Sequence, residues 1–136
     1  MDEQPVQLTK EVRTRSRAPR NHPERVDYEY ERAGTASLFL FVEPLAGWRN
    51  CKARPRRTKV DWAIEAAGLL DGRCAECEEV ILMRDNLNTR TKGAFCEAFK
   101  PAVAHAYVKK IEFCYTPKHG GCLNIAKNEL SALTRQ

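Results

Sequence analysis

One acidic residue directly follows an apolar run. Residues 80–84 read "VILMR", and Asp85 comes next, ahead of the polar stretch "NLNTR" at 86–90. The apolar run is typical of a buried central strand, and a buried charge without a partner is costly. The Asp85 carboxylate therefore needs a partner, which could be a helix N-terminus, a basic side chain or a metal ion.

A metal would give Asp85 a chemical role. Ligand sites in α/β sheets collect at strand ends, and the strand "IEFCY" (111–115) is followed by "TPKHGG", which would bring His119 close if the two strands are neighbours. Acids from separate elements are the usual ligands of Mg²⁺, and two such ions can clamp a reacting phosphodiester. From these residues alone, an acid that caps the next turn is the simpler interpretation.

A second possible metal site involves cysteine. "CAEC" places Cys74 and Cys77 at the spacing of half a zinc site, and Cys114, His119 and Cys122 could complete it. A single CxxC pair is a weak signal, so buried or incidental thiols are the simpler interpretation.

The elements that would position these residues alternate between strands and helices. Thr58 followed by Asp61 predicts a capping box, and apolar residues at helical spacing follow it. The pattern predicts a mixed α/β sheet with helices on both faces. The predicted strands are 26–30, 37–42, 48–53, 78–85 and 111–115, and the predicted helices are 58–70, 91–99, 101–110 and 122–133.

Residues 1–25 are polar and basic, without a periodic apolar face, and predict an extended arm or loop ahead of the sheet and helices of 26–136. Arg13 and Arg15 would contact phosphates if the arm binds nucleic acid; a solvated linker is the alternative. The formal net charge of +5 permits such binding but is weak support for it.

Length and composition limit the possible classes. The 136 residues, 43% of them hydrophobic, suit one globular domain at most. Since no apolar run is long enough to span a membrane and the start is not a signal peptide, we expect a cytoplasmic protein with no membrane partner. Its six cysteines should then be reduced thiols.

Several longer motifs, in order and at matching spacing, resemble one family. They are "MDEQPVQLTKE", "RVDYEYERAGTASLFLFVEPLAGWR", "RRTKVDWA", "DNLNTRTKGAF", "FCYTPKHGG" and "LNIAKNELSALTRQ". The chain resembles the catalytic part of mariner-related insertion-sequence transposases, also described as DDE superfamily endonucleases.

The resemblance implies an RNase H-like fold in which three acids bind two Mg²⁺ (or Mn²⁺) ions that cut and rejoin DNA. Asp2 and Asp85 match the first two acids. The implied partners are transposon ends and target DNA, with a full-length transposase or a second copy as further possibilities. The candidate DNA contacts are Arg90, Lys118, His119, Arg13 and Arg15.

This chain departs from the family pattern at the third acid, where Lys127 stands. Glu129 cannot replace it simply, because two residues along a helix rotate by about 200°. At ~4 Å and an effective dielectric of ~20, two unit charges interact by roughly 4 kcal/mol. A lysine there would therefore oppose a metal ion, and we expect this copy to be inactive.

The family's first strand ends at the first acid and lies in the middle of a sheet of order 3-2-1-4-5. Only Met1 precedes Asp2 here, so the sequence predicts that this strand is missing, together with the upstream helix-turn-helix domain. The expected protein is a truncated, degenerate transposase domain. The alternative is a non-catalytic fragment that binds DNA or inhibits a transposase.

Overall fold

The computed structural model of the chain describes residues 1–12, 29–85, 90–117, 120 and 123–134. Within these ranges, strands and helices alternate much as the sequence predicts. The strands are β1 (Asp2–Glu11), β2 (Tyr30–Glu43), β3 (Trp48–Arg54), β4 (Val80–Arg84) and β5 (Ile111–Tyr115), and the helices are α1 (Lys59–Asp71), α2 (Gly93–Ala98), α3 (Pro101–Lys110) and α4 (Ile125–Leu133).

The first three strands form an antiparallel sheet of order β1-β2-β3. A tight turn joins β2 to β3, in which the Gly47 N–H donates to the Pro44 carbonyl at 3.2 Å. Gly47 has φ +62°, a conformation that glycine adopts without the steric cost of a Cβ. The predicted hairpin is thereby confirmed.

Strand β1 differs from the prediction. Residues 2–11 belong to the segment predicted as a basic arm or loop, and they instead pair with β2, with Asp2 opposite Leu40 and Glu11 opposite Tyr30. Backbone hydrogen bonds to a neighbour can form a strand whose side chains are polar and mostly exposed. Asp2 therefore begins a strand, so the described residues contain a first strand where the sequence analysis expected none.

Strand β2 carries apolar residues on both of its faces. Phe39 and Phe41 belong to the main core with α1, α2, α3, β4 and β5. Leu40, which points the other way, packs with Ala126 and Leu130 of α4. Helices therefore cover both faces of the antiparallel sheet, as predicted.

The predicted helix at 58–70 is confirmed as α1, and its capping box is present. The Asp61 N–H donates to the Thr58 hydroxyl oxygen at 3.1 Å, while the Thr58 N–H and hydroxyl donate to the Asp61 carboxylate at 3.0 and 2.6 Å. The hydrogen bond from the Thr58 hydroxyl lowers the pKa of the Asp61 carboxyl below its ordinary value. Residue types close together in sequence therefore determine where this helix begins.

We expect Thr58→Ala to lower the free energy of unfolding by about 1 kcal/mol at pH 7. The Asp61 pKa is lower in the folded protein than in the unfolded chain, so the ionised carboxylate stabilises the fold. This stabilisation is fully present at pH values above the ordinary carboxyl pKa, and it is lost as the pH falls through the pKa of the folded state. The difference between the two proteins should therefore shrink in acid. Urea unfolding measured from pH 7 downwards tests this. Thr58→Ser keeps the hydroxyl, and an equal loss in that control would contradict the prediction.

Strands β4 and β5 form a separate parallel pair, with Val80 opposite Ile111 and Arg84 opposite Tyr115. The predicted order 3-2-1-4-5 is therefore divided into two sheets in the described residues. They meet where the Met1 backbone nitrogen donates to the Met83 carbonyl at 2.7 Å.

An open groove separates β2 from β4 beside this contact. It has a volume of about 370 Å³, and its lining includes Met1, Phe41, Val42, Val80 and Leu82. The register of β1 with β2 ends at Asp2 and Leu40. In the described part of the chain, residues 41–43 of β2 therefore have no partner in β1.

Candidate functional site

Four charged side chains meet where the two sheets approach each other. Asp2 and Glu3 are the first residues of β1, Asp85 directly follows β4, and Arg90 precedes α2. Asp2 and Glu3 are far from Asp85 in the sequence, and the packing of β1 near β4 brings them together. We call Asp2, Glu3, Asp85 and Arg90 the acid–arginine cluster.

The Arg90 guanidinium lies among the three carboxylates. Its Nη1 donates to Asp85 Oδ1 at 2.5 Å, and its Nη2 donates to Asp2 Oδ1 at 3.3 Å. The same Nη2 is 3.4 Å from Glu3 Oε1. Two guanidinium nitrogens therefore contact three carboxylates. The Nε of Arg90 is buried and has no hydrogen-bond partner among the described residues.

The exposure of the cluster is uneven. The Arg90 side chain is 0% exposed, whereas the Asp85 side chain is 39% exposed. Asp2 and Glu3 are buried, and burial raises the pKa of the Glu3 carboxyl above its ordinary value, while Arg90 opposes this shift. Arg57 Nε lies 3.7 Å from Glu3 Oε1. Solvent therefore reaches the cluster most readily at Asp85.

The partner of Asp85 in this arrangement is a basic side chain, one of the three alternatives that the sequence left open. Arg90, predicted as a DNA contact, is fully buried and bound to carboxylates. Its guanidinium is therefore not presented at the surface. The other candidate contacts, Arg13, Arg15, Lys118 and His119, lie outside the described residues.

The position predicted for the third acid lies in the first turn of α4. Lys127 is exposed there. Glu129, further along the helix, forms a two-point ion pair with Arg49 of β3, at 2.7 and 2.9 Å. The Glu129 carboxylate of α4 is therefore paired with a side chain of β3.

Helix α4 contacts the start of β1 through Asn124, the N-cap residue that directly precedes the helix. Asn124 is buried, and its Nδ2 donates to the Met1 carbonyl at 3.4 Å. The beginning of α4 therefore lies beside the chain segment that carries Asp2.

The donor set of the cluster does not suit a divalent cation as it is arranged here. Within the described ranges, no group of three or more His, Cys, Asp or Glu side chains is placed to hold a metal ion. Mg²⁺ requires oxygen ligands in near-octahedral geometry, and here the oxygens of Asp2 and Asp85 both face guanidinium nitrogens. The family's metal therefore does not fit this arrangement of side chains.

The cysteine alternative receives little support. Cys74 and Cys77 follow α1 and lie close together, and burial, followed by the neighbouring Cys77, raises the pKa of the Cys74 thiol. Cys114 lies exposed on β5, while His119 and Cys122 fall outside the described residues.

Two residues of this region were not singled out from the sequence. Glu3 adds a third carboxylate, and its position next to Asp2 was the available signal. Arg84 is buried, donates to the Tyr115 hydroxyl at 2.7 Å and lies over the rings of Phe113 and Tyr115. Arg84 therefore connects the end of β4 to β5 immediately before Asp85.

Comparison with known proteins identifies a family for this chain. A family model described as DDE superfamily endonuclease matches residues 1–136. No curated protein and no solved structure matches the chain. In the part of the chain that the structure describes, no helix has the length and apolar character needed to cross a membrane.

Proposed function

This chain belongs to the DDE superfamily endonucleases, and on that premise we propose that it is the DNA-processing domain of a mariner-related insertion-sequence transposase. Members of the family use divalent metal ions to cut DNA, so DNA is the partner that membership implies. We further propose that this copy is catalytically inactive and retains the ability to bind DNA.

One observation supports the placement of the site. Asp2 and Asp85, which the resemblance assigns as the first two acids, bind the same guanidinium although most of the chain separates them. Acids from separate strands that meet at one point form the kind of site that a phosphodiester-cleaving enzyme requires. The fold therefore brings together the two residues that the resemblance singled out.

Two features support inactivity. The third acid position holds Lys127, which is exposed, and Arg90 already neutralises carboxylates that would have to bind a metal. A site that has lost a negative ligand and gained a positive side chain binds a dication less well on both counts. This copy would therefore lack the metal-dependent step of its family.

A plasmid nicking assay tests the proposal. We expect no Mg²⁺-dependent or Mn²⁺-dependent nicking by the unaltered protein above the level of Asp85→Asn. Lys127→Glu alone should not restore cleavage, because Arg90 would still neutralise Asp2 and Asp85. Nicking by the unaltered chain that disappears in Asp85→Asn would overturn the proposed inactivity.

The second candidate function is a non-catalytic DNA-binding fragment that could inhibit a transposase, and the net charge of +5 favours it. Its discriminating measurement is affinity for duplex DNA across a salt series, carried out on the same protein preparation. Binding that weakens steeply as salt rises reports phosphate contacts. Absence of DNA binding at low salt would exclude both candidate functions.

A further inference from the structure

We infer that the Arg90 guanidinium is the resident cation of the acid–arginine cluster, and that a hard divalent cation such as Mg²⁺ or Mn²⁺ can bind these carboxylates only when Arg90 is removed. The cluster is thus a masked divalent-cation site. This inference rests on the proposed function in taking Asp2 and Asp85 as the acids of the site.

Geometry is the first support. Arg90 contacts one oxygen each of Asp85, Asp2 and Glu3, at 2.5 to 3.4 Å. A metal ion between the same carboxylates would need those oxygens as ligands. The guanidinium nitrogens of Arg90 occupy the space in front of these oxygens. The two cations therefore compete for the same atoms.

Charge and burial are the second support. An arginine side chain remains protonated in proteins, and Arg90 is fully buried, so its charge is permanent and poorly screened by salt. A divalent cation that enters from the exposed side of Asp85 meets this positive charge directly.

The polar contacts of Arg90 are the third support. Among the described residues, its Nε has no hydrogen-bond partner, and its guanidinium contacts the carboxylates of Asp85, Asp2 and Glu3. Replacing Arg90 with an uncharged residue should therefore leave the three carboxylates without their main counter-charge.

Binding of Mn²⁺ in the absence of DNA tests the inference, with titration calorimetry and electron paramagnetic resonance as measurements. We expect no Asp85-dependent Mn²⁺ binding by the unaltered protein or by Arg90→Lys, which keeps the positive charge. Arg90→Gln should bind Mn²⁺ more tightly by about tenfold or more, a change of roughly 1.4 kcal/mol. Adding Asp85→Asn to Arg90→Gln should abolish the gain.

Thermal unfolding keeps the test decisive if Arg90→Gln is poorly folded. Three carboxylates then lack their main counter-charge, so we expect a lower Tm than that of the unaltered protein, and recovery of Tm when Mn²⁺ is added. Two results would overturn the inference. The first is that Arg90→Gln binds Mn²⁺ no more tightly than the unaltered protein and shows no rise in Tm when Mn²⁺ is added. The second is that the unaltered protein binds Mn²⁺ through Asp85.

The outcome is separable from that of the proposed function. DNA is absent from the Mn²⁺ experiments, so Asp85-dependent Mn²⁺ binding by the unaltered chain would refute the masked site whether or not the protein binds or cuts DNA. Conversely, failure to bind DNA would refute the proposed function and leave the competition between Arg90 and Mn²⁺ intact.

Discussion

Trp62→Ala should lower the free energy of unfolding by about 3–5 kcal/mol, the cost typical of truncating a large buried aromatic side chain. Trp62 is 1% exposed, and its ring makes edge contacts with Phe95 at 5.4 Å and Phe113 at 5.9 Å between centroids. The side chain therefore joins α1 to α2 and β5. Domains have total stabilities of only about 5–15 kcal/mol, so the variant should lose a large fraction of the stability of the protein.

Urea unfolding followed by circular dichroism measures this change. Ile64→Ala is the matched control, because Ile64 lies on the same helix and is exposed. We expect that control to change the free energy of unfolding by roughly 0.5 kcal/mol or less. Equal losses in the two variants would show that α1 does not pack through Trp62.

Leu130→Ala should have the second largest effect, about 2–5 kcal/mol. Leu130 is buried in the small second core with Leu40 and Ala126, which attaches α4 to the outer face of the antiparallel sheet. Because this core has few members, we expect α4 to separate locally while α1 and the main core remain folded.

Hydrogen exchange distinguishes local from global loss. Amides of 125–133 should lose protection in Leu130→Ala, whereas those of 62–70 should keep it. Leu133→Ala, at an exposed position of the same helix, is the control and should leave both segments protected. Loss of protection throughout the chain would mean that α4 is required by the whole fold.

The elements that were predicted well are those with local signals. The capping box of Thr58 and Asp61 lies within four residues. The continuous apolar run of Phe39, Leu40 and Phe41 is typical of a strand that is covered on both faces. Such signals depend on a residue's near neighbours, so the helix α1 and the strands β2, β4 and β5 could be predicted from the sequence.

The strand β1 and the role of Arg90 could not be predicted in the same way. Strand β1 is mostly polar and depends on pairing with β2, whose residues are remote in sequence. Arg90 meets Asp2 across 88 residues, and nothing near Arg90 indicates that contact. The resemblance of the sequence to a family pointed to Asp2 and Asp85, but it did not indicate that Arg90 would pair with both of them.

The groove between β2 and β4 predicts that the protein self-associates at high concentration. Residues 41–43 of β2 have no partner in β1 among the described residues, and backbone donors and acceptors along such a strand edge attract extended segments of other molecules. Ile81 beside the groove is 69% exposed. Concentrated samples should therefore assemble by intermolecular strand pairing, and the monomer would be favoured by dilution. Light scattering across a dilution series would reveal this reversible self-association before any biochemical assay is attempted.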